Sequence, residues 1–254
     1  MENPLIIANW KMKLNASDSL DLAKRVKKAS AKYNGVEVVL CPSFTEIAQV
    51  NEIIKGSNIK LGAQDCFWEE QGSFTGEISP KSLQDYDVKY VLVGHSERRQ
   101  NLGETEEMIH KKVRLLLTID ITPVLCIGET FEERQDGLKD VVLTRQLHNA
   151  FNGLWLNKSD RLVVAYEPVW VIGSGQDIDP DEIEHTHQII RQLLYDLFED
   201  RVVDEQVKII YGGSVDSENI AQYIARPIVQ GVLVGGASLD ATHFSTIIAQ
   251  AKKL

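Results

Sequence analysis

VKIIYGGS, residues 207–214, and GVLVGG, residues 231–236, are two short apolar runs, each closed by a glycine pair. Runs that are apolar at nearly every position are the pattern of parallel strands, covered by helices on one face and filled on the other. Six more runs of this kind precede them: LIIANW (5–10), VEVVLC (36–41), IKLGA (59–63), KYVLVG (89–94), ITPVLCI (121–127) and LVVAYE (162–167). The segments between them have helical periodicity. Leu22, Val26, Ala29 and Tyr33 make one packing stripe, Ile109, Val113 and Leu116 a second, and Ile183, His187, Ile190, Leu194 and Leu197 a third. The third follows Asp179-Pro180-Asp181-Glu182, an Asp cap with Pro in the first turn and Glu three residues after the cap. Eight strands alternating with helices over about 250 residues predict an α/β fold, a (β/α)8 barrel, with a doubly wound open sheet as the competing architecture. No linker rich in Pro, Gly or Ser divides the chain, so residues 1–254 read as one barrel domain.

The chain is 43% hydrophobic and 25% charged, ordinary for a soluble globular protein. A formal net charge of -10 argues against nucleic acid and anionic membranes as partners, so any attraction for an anionic ligand must be local. Cys41, Cys66 and Cys126 have no C-x-x-C spacing, and two of them sit in apolar runs; they read as buried thiols in a reducing compartment. MENPLIIANW is too short an apolar run for a signal peptide, and no stretch approaches the roughly 18 apolar residues of a membrane span. The expectation is a cytoplasmic protein.

The informative polar residues stand where strands run out: Asn9 and Lys11 after the first, His95 after the fourth, Glu167 after the sixth, Gly212-Gly213-Ser214 after the seventh and Gly235-Gly236 after the eighth. In a barrel these ends share one face, where active sites are built. Glu167 has the chemistry of a base for a proton beside a carbonyl, and a neutral His95 could donate to the oxygen where charge develops. Ser96-Glu97 reads as a first helical turn, whose partial positive charge opposes protonation of the ring; the plainer reading of His95 is a helix cap. Lys11 would supply the local positive charge, whereas Lys13 reads as a solvated surface lysine. The glycine pairs leave backbone N–H groups open to a phosphate, or are only tight turns. PVWVIGSG, 168–175, reads as a hydrophobic lid or a static packed loop. G-x-G-x-x-G after a strand and a Walker Lys-Ser/Thr are both absent from the sequence, which argues against nicotinamide and nucleotide cofactors. His185, His187, His110, His148 and His243 lack convergent metal spacing, and His187 reads as a packed core histidine. The acidic runs at 104–107 and 132–136 read as solvated faces or helix starts.

In order along the chain, ANWKM (8–12), VGHSERR (93–99), CIGE (126–129), AYEPVW (165–170), YGGS (211–214) and GVLVGG (231–236) resemble the triosephosphate isomerase family essentially end to end. The resemblance implies a TIM barrel that interconverts dihydroxyacetone phosphate and D-glyceraldehyde 3-phosphate, in glycolysis and gluconeogenesis, without metal or cofactor. It implies Glu167 as the base, His95 as the electrophile and Lys11 as the charge stabiliser, with Asn9 orienting the substrate. Gly173, Ser214, Gly235 and Gly236 would contact its phosphate, while Ser96, Glu97 and Cys126 would support the site. A homodimer is also implied, in which the 67–77 loop inserts beside the partner's active site. Thr75 would then reach the other subunit's Asn9 and His95 region, and Phe67, Trp68 and Phe74 would suit the interface. The chain departs from the family pattern at Lys13, a place often held by Asn, and at Gln176-Asp177-Ile178-Asp179, which replaces a Lys-Thr-Ala-Thr type. Rival readings are a metal-dependent sugar-phosphate epimerase, a Schiff-base aldolase and a non-catalytic phosphate-binding barrel protein.

Overall fold

The structure, a computed structural model, describes residues 3–172 and 176–252. Its strands are β1 (Leu5–Asn9), β2 (Glu37–Cys41), β3 (Ile59–Ala63), β4 (Val88–Val93), β5 (Thr122–Ile127), β6 (Leu162–Tyr166), β7 (Val207–Tyr211) and β8 (Gly231–Val234). They pair in parallel, in sequence order, into a closed barrel, and β1 meets β8 with Leu5 opposite Gly231 and Ala8 opposite Val234. Closure rules out the doubly wound sheet. Each strand starts and ends within one residue of its apolar run, because burial on both faces makes the run itself the strand.

Alternation along each strand divides the core in two. Leu5, Ile7, Val39, Cys41, Leu92, Val124, Cys126, Val163, Ala165, Ile210 and Leu233 form one buried cluster, which fills the barrel. Ile6, Ala8, Val38, Leu40, Val91, Val93, Val164 and Ile209 face the other way and pack with the helical stripes, including Leu22, Val26, Ile109, Val113, Ile183 and Ile190. Two stripes overrun their helices: Tyr33 lies beyond helix Ala16–Ser30 and Leu197 beyond helix Pro180–Tyr195, and both still pack against the core.

The same parity sets the upper rim. Counting by twos from the inward residues leads to Asn9 on β1, Gln64 after β3, Gly128 after β5, Glu167 after β6, Gly212 after β7 and Gly235 after β8. Period-two geometry thus delivers six chain segments to one mouth. Asp179 caps the helix after β6 as expected, accepting the Asp181 N–H at 3.0 Å, with Pro180 at its start. Glu182 does not turn back to the cap: its two carboxylate oxygens take the Arg134 guanidinium instead. Among the described residues no helix is long and apolar enough to cross a membrane.

Candidate active site

The barrel mouth holds a cavity of about 320 Å³ whose walls include Asn9, Lys11, His95, Glu167, Ser214, Gly235 and Gly236. Lys11 stands at its rim with φ 52, a left-handed conformation that is uncommon for a residue with a side chain. Three neighbours hold that turn. Asn9 Oδ1 accepts the Lys11 N–H at 3.0 Å, and the Lys11 carbonyl accepts from Gln64 Nε2 at 2.9 Å and from Ser43 Oγ at 3.4 Å. The Lys11 ammonium lies 2.6 Å from Glu97 Oε1, so the lysine is aimed rather than free.

His95 is the cap of helix Ser96–Asn101, and its Nδ1 accepts the Glu97 N–H at 3.2 Å. The cap reading is therefore correct, and as an acceptor Nδ1 carries no proton, which leaves the ring proton on Nε2. Nε2 is 3.2 Å from Glu167 Oε1. Glu167 is 2% exposed, and its second oxygen accepts the Ser96 N–H at 3.1 Å. The Ser96 N–H thus reaches Glu167 from the first turn of a helix whose positive end favours a carboxylate.

Two glycines let the ends of other strands close on Glu167. A Cβ on Gly128 would fall 1.7 Å from the Glu167 carbonyl oxygen, and one on Gly212 would fall 2.9 Å from Glu167 Cγ. Cys126 lies beneath, fully buried and bonded to the Glu167 side chain; burial above all, then the Glu167 charge, pushes its thiol well above the ordinary range. It serves as a neutral S–H wall and not as a nucleophile. Cys41 and Cys66 are also buried free thiols, as expected.

A family model for triosephosphate isomerase matches residues 4–251. The chain belongs to the triosephosphate isomerase family. Triosephosphate isomerase of Endomicrobium trichonymphae is 42% identical over 252 residues, 99% of this chain and 100% of the relative. That of Carboxydothermus hydrogenoformans is 43% identical over 248 residues, 98% of each chain. The crystal structure of triosephosphate isomerase from Bartonella henselae superposes with a TM-score of 0.85 at 30% identity, covering 98% of each chain. The protein is thus an enzyme, an isomerase with a phosphorylated triose as its substrate class, and the non-catalytic reading is set aside.

Against this family frame, several residues do more than the sequence reading gave them. Glu129, noted there only as the end of a motif, is buried and accepts from Trp170 Nε1 at 3.0 Å and from Tyr166 Oη at 3.2 Å; burial raises its carboxyl pKa. Arg134, tied to Glu182, stacks over the Trp170 ring at 4.3 Å. The chain just past Glu167 is thereby clamped from both sides. Arg99 links the ends of two strands, donating to the carbonyls of Gly94 at 2.7 Å and Cys126 at 3.2 Å, with Glu106 at 2.7 Å behind it. The double arginine of VGHSERR was the only signal for it.

The acidic run at 104–107 requires a correction. Glu106 and Glu107 do start a helix, but Glu104 is not solvated: it is buried and paired with Lys112 and Arg98, which also hold Asp65 at 2.7 and 2.8 Å. Burial, opposed by Lys112, pushes the Asp65 carboxyl up to about 6. The 132–136 run is a helix start, capped by Thr130 and Glu133 in a reciprocal pair. His187 is a core histidine, bonded to the Ile183 carbonyl at 2.9 Å and lowered to about 4 by burial. In the 67–77 loop Phe67 is buried, stacked on Trp68 at 4.0 Å and tilted against Phe74 at 4.6 Å, so of the three aromatics only Phe74 is exposed, next to the exposed Thr75. Gly173 lies outside the described residues.

Proposed function

We propose that this chain interconverts dihydroxyacetone phosphate and D-glyceraldehyde 3-phosphate through an enediol(ate), with Glu167 carrying the proton between the two carbons. The observation behind this reading is one contact: a buried carboxylate 3.2 Å from an imidazole Nε2–H, at the wall of a cavity that also holds an ammonium. A carbonyl entering between them would meet a base on one side and a hydrogen-bond donor on the other. His95 polarises the oxygen and exchanges protons with it, Lys11 stabilises the developing negative charge, and Asn9 orients the substrate while holding the Lys11 turn.

The phosphate lies against Ser214, Gly235 and Gly236, where the 3₁₀ turn Gly236–Leu239 opens; the family resemblance adds Gly173. Ser96, Glu97 and Cys126 support the base and the lysine. The reaction runs without metal or cofactor, in the cytoplasm. The active form is a homodimer in which Thr75 reaches the partner's site. Exposed Met12 (95%), Leu102 (66%) and Phe74 (44%), all on loops at the strand-end face, support such a contact.

The test is a coupled assay with D-glyceraldehyde 3-phosphate on chelator-treated protein, alongside sedimentation. Glu167→Gln should lower kcat by roughly 10³-fold, within the usual range for a general base, and wild-type protein should sediment as a dimer. Turnover that survives Glu167→Gln would refute the role of the base, and a fully active monomer would refute the role of Thr75.

A further inference from the structure

The loop after β7 is braced by one side chain, that of Asn219, which is 5% exposed. Its Oδ1 accepts the Asp216 N–H at 2.9 Å, and its Nδ2 donates to the Ser214 carbonyl at 3.1 Å and to Asp177 Oδ1 at 2.8 Å. Asp216 answers by accepting the N–H groups of Glu218 at 2.7 Å and Asn219 at 3.0 Å. Ser214 and Asp216 both line the active-site cavity.

An amide can point either way round, and here a carboxylate decides. Asp177 only accepts, so the NH₂ end of Asn219 must face it, and the amide oxygen is left for Asp216 N–H. With that orientation fixed, the peptide following Ser214 is held in place, and the Asp216 carboxylate stays on its own turn instead of facing an incoming dianion. Asp177 belongs to the 176–179 stretch in which this chain departs from the family pattern, so one arm of the brace comes from that stretch.

We infer that Asn219, oriented by Asp177, is a positioning residue for the substrate's phosphate, acting through Ser214 and Asp216 without touching a reacting atom. The inference rests on Ser214 being a phosphate contact.

Two variants test it, with inorganic phosphate as competitive inhibitor and with D-glyceraldehyde 3-phosphate compared against D-glyceraldehyde, which lacks the phosphate. Asn219→Ala should weaken phosphate inhibition about tenfold and lower the ratio of kcat/KM between the two substrates by a similar factor, the usual scale for an unsatisfied buried hydrogen bond. The ratio is read on one preparation, so a partly unfolded sample does not distort it. Asp177→Ala, at an exposed position, removes a negative charge near the phosphate. Charge alone would tighten phosphate binding; loss of orientation should weaken it, by about threefold. Tighter or unchanged inhibition in Asp177→Ala, or a parallel fall on both substrates in Asn219→Ala, would overturn the inference. If wild-type enzyme is indifferent to phosphate, the Ser214 assignment falls first, and this inference with it.

Discussion

Gly212→Ala tests how tightly Glu167, the proposed base, is held without altering its chemistry. The new methyl would sit 2.9 Å from Glu167 Cγ and 3.4 Å from the Tyr166 carbonyl oxygen. Carbon atoms settle at about 3.5–4.0 Å, so Cγ must withdraw by roughly 0.6 Å or more. The side chain is poorly placed to yield, because one carboxylate oxygen is bonded to Ser96 N–H and the other to His95. Misplacing a reacting group by about 1 Å costs on the order of 10²-fold, so a shift of about 0.6 Å should cost roughly 10- to 20-fold in kcat. The overpacking itself should destabilise the fold by about 1–3 kcal/mol. The coupled assay gives kcat, and thermal unfolding checks that the protein is intact. Glu167→Asp, which draws the carboxylate back by about 1 Å, should lose about 10²-fold. A folded Gly212→Ala enzyme with kcat within about twofold of wild type would refute this account of the base.

Two further outcomes concern stability. His187 titrates near 4 in the fold against an ordinary 6.5, so the unfolded chain takes up its proton first as pH falls. Its contribution is complete above pH 6.5 and is lost between 6.5 and about 4, on the order of 3 kcal/mol; His187→Gln should flatten urea-measured stability across that window, and an equally steep profile would refute the assignment. Lys112→Met leaves Glu104 and Asp65 buried with Arg98 as the remaining cation of their cluster, and should cost about 3–5 kcal/mol in urea unfolding. A loss under about 1 kcal/mol would mean that the cluster tolerates the vacancy.

Much of this molecule is legible in the sequence because parallel strands in a barrel are buried on both faces and therefore spell themselves as apolar runs. The polar residues that interrupt the pattern at strand ends, Asn9, Lys11, His95 and Glu167, come together in one cavity. What stayed hidden was side-chain pairing across distance. Glu104 reads as surface charge until Lys112 and Arg98 fold against it, and Glu182 reads as half of a helix cap until Arg134 claims it. Gly128 enters the sequence reading only as part of CIGE, since its need to lack a side chain arises only where the Glu167 backbone passes. Local patterns report burial and helix ends; they do not report which distant partner a charge will find.

The seam between β1 and β8 also bears on how the protein is made. A Cβ on Gly231 would lie 2.0 Å from the Leu5 carbonyl oxygen, so β1 and β8 pack there through a residue made long after Leu5. Asn9 and Lys11 leave the ribosome early but cannot face Gly235 until β8 has emerged, and contacts so distant along the chain form slowly. Until then the growing chain is an open sheet with two bare edges, a liability for a translating cell that closes only when the final strand docks.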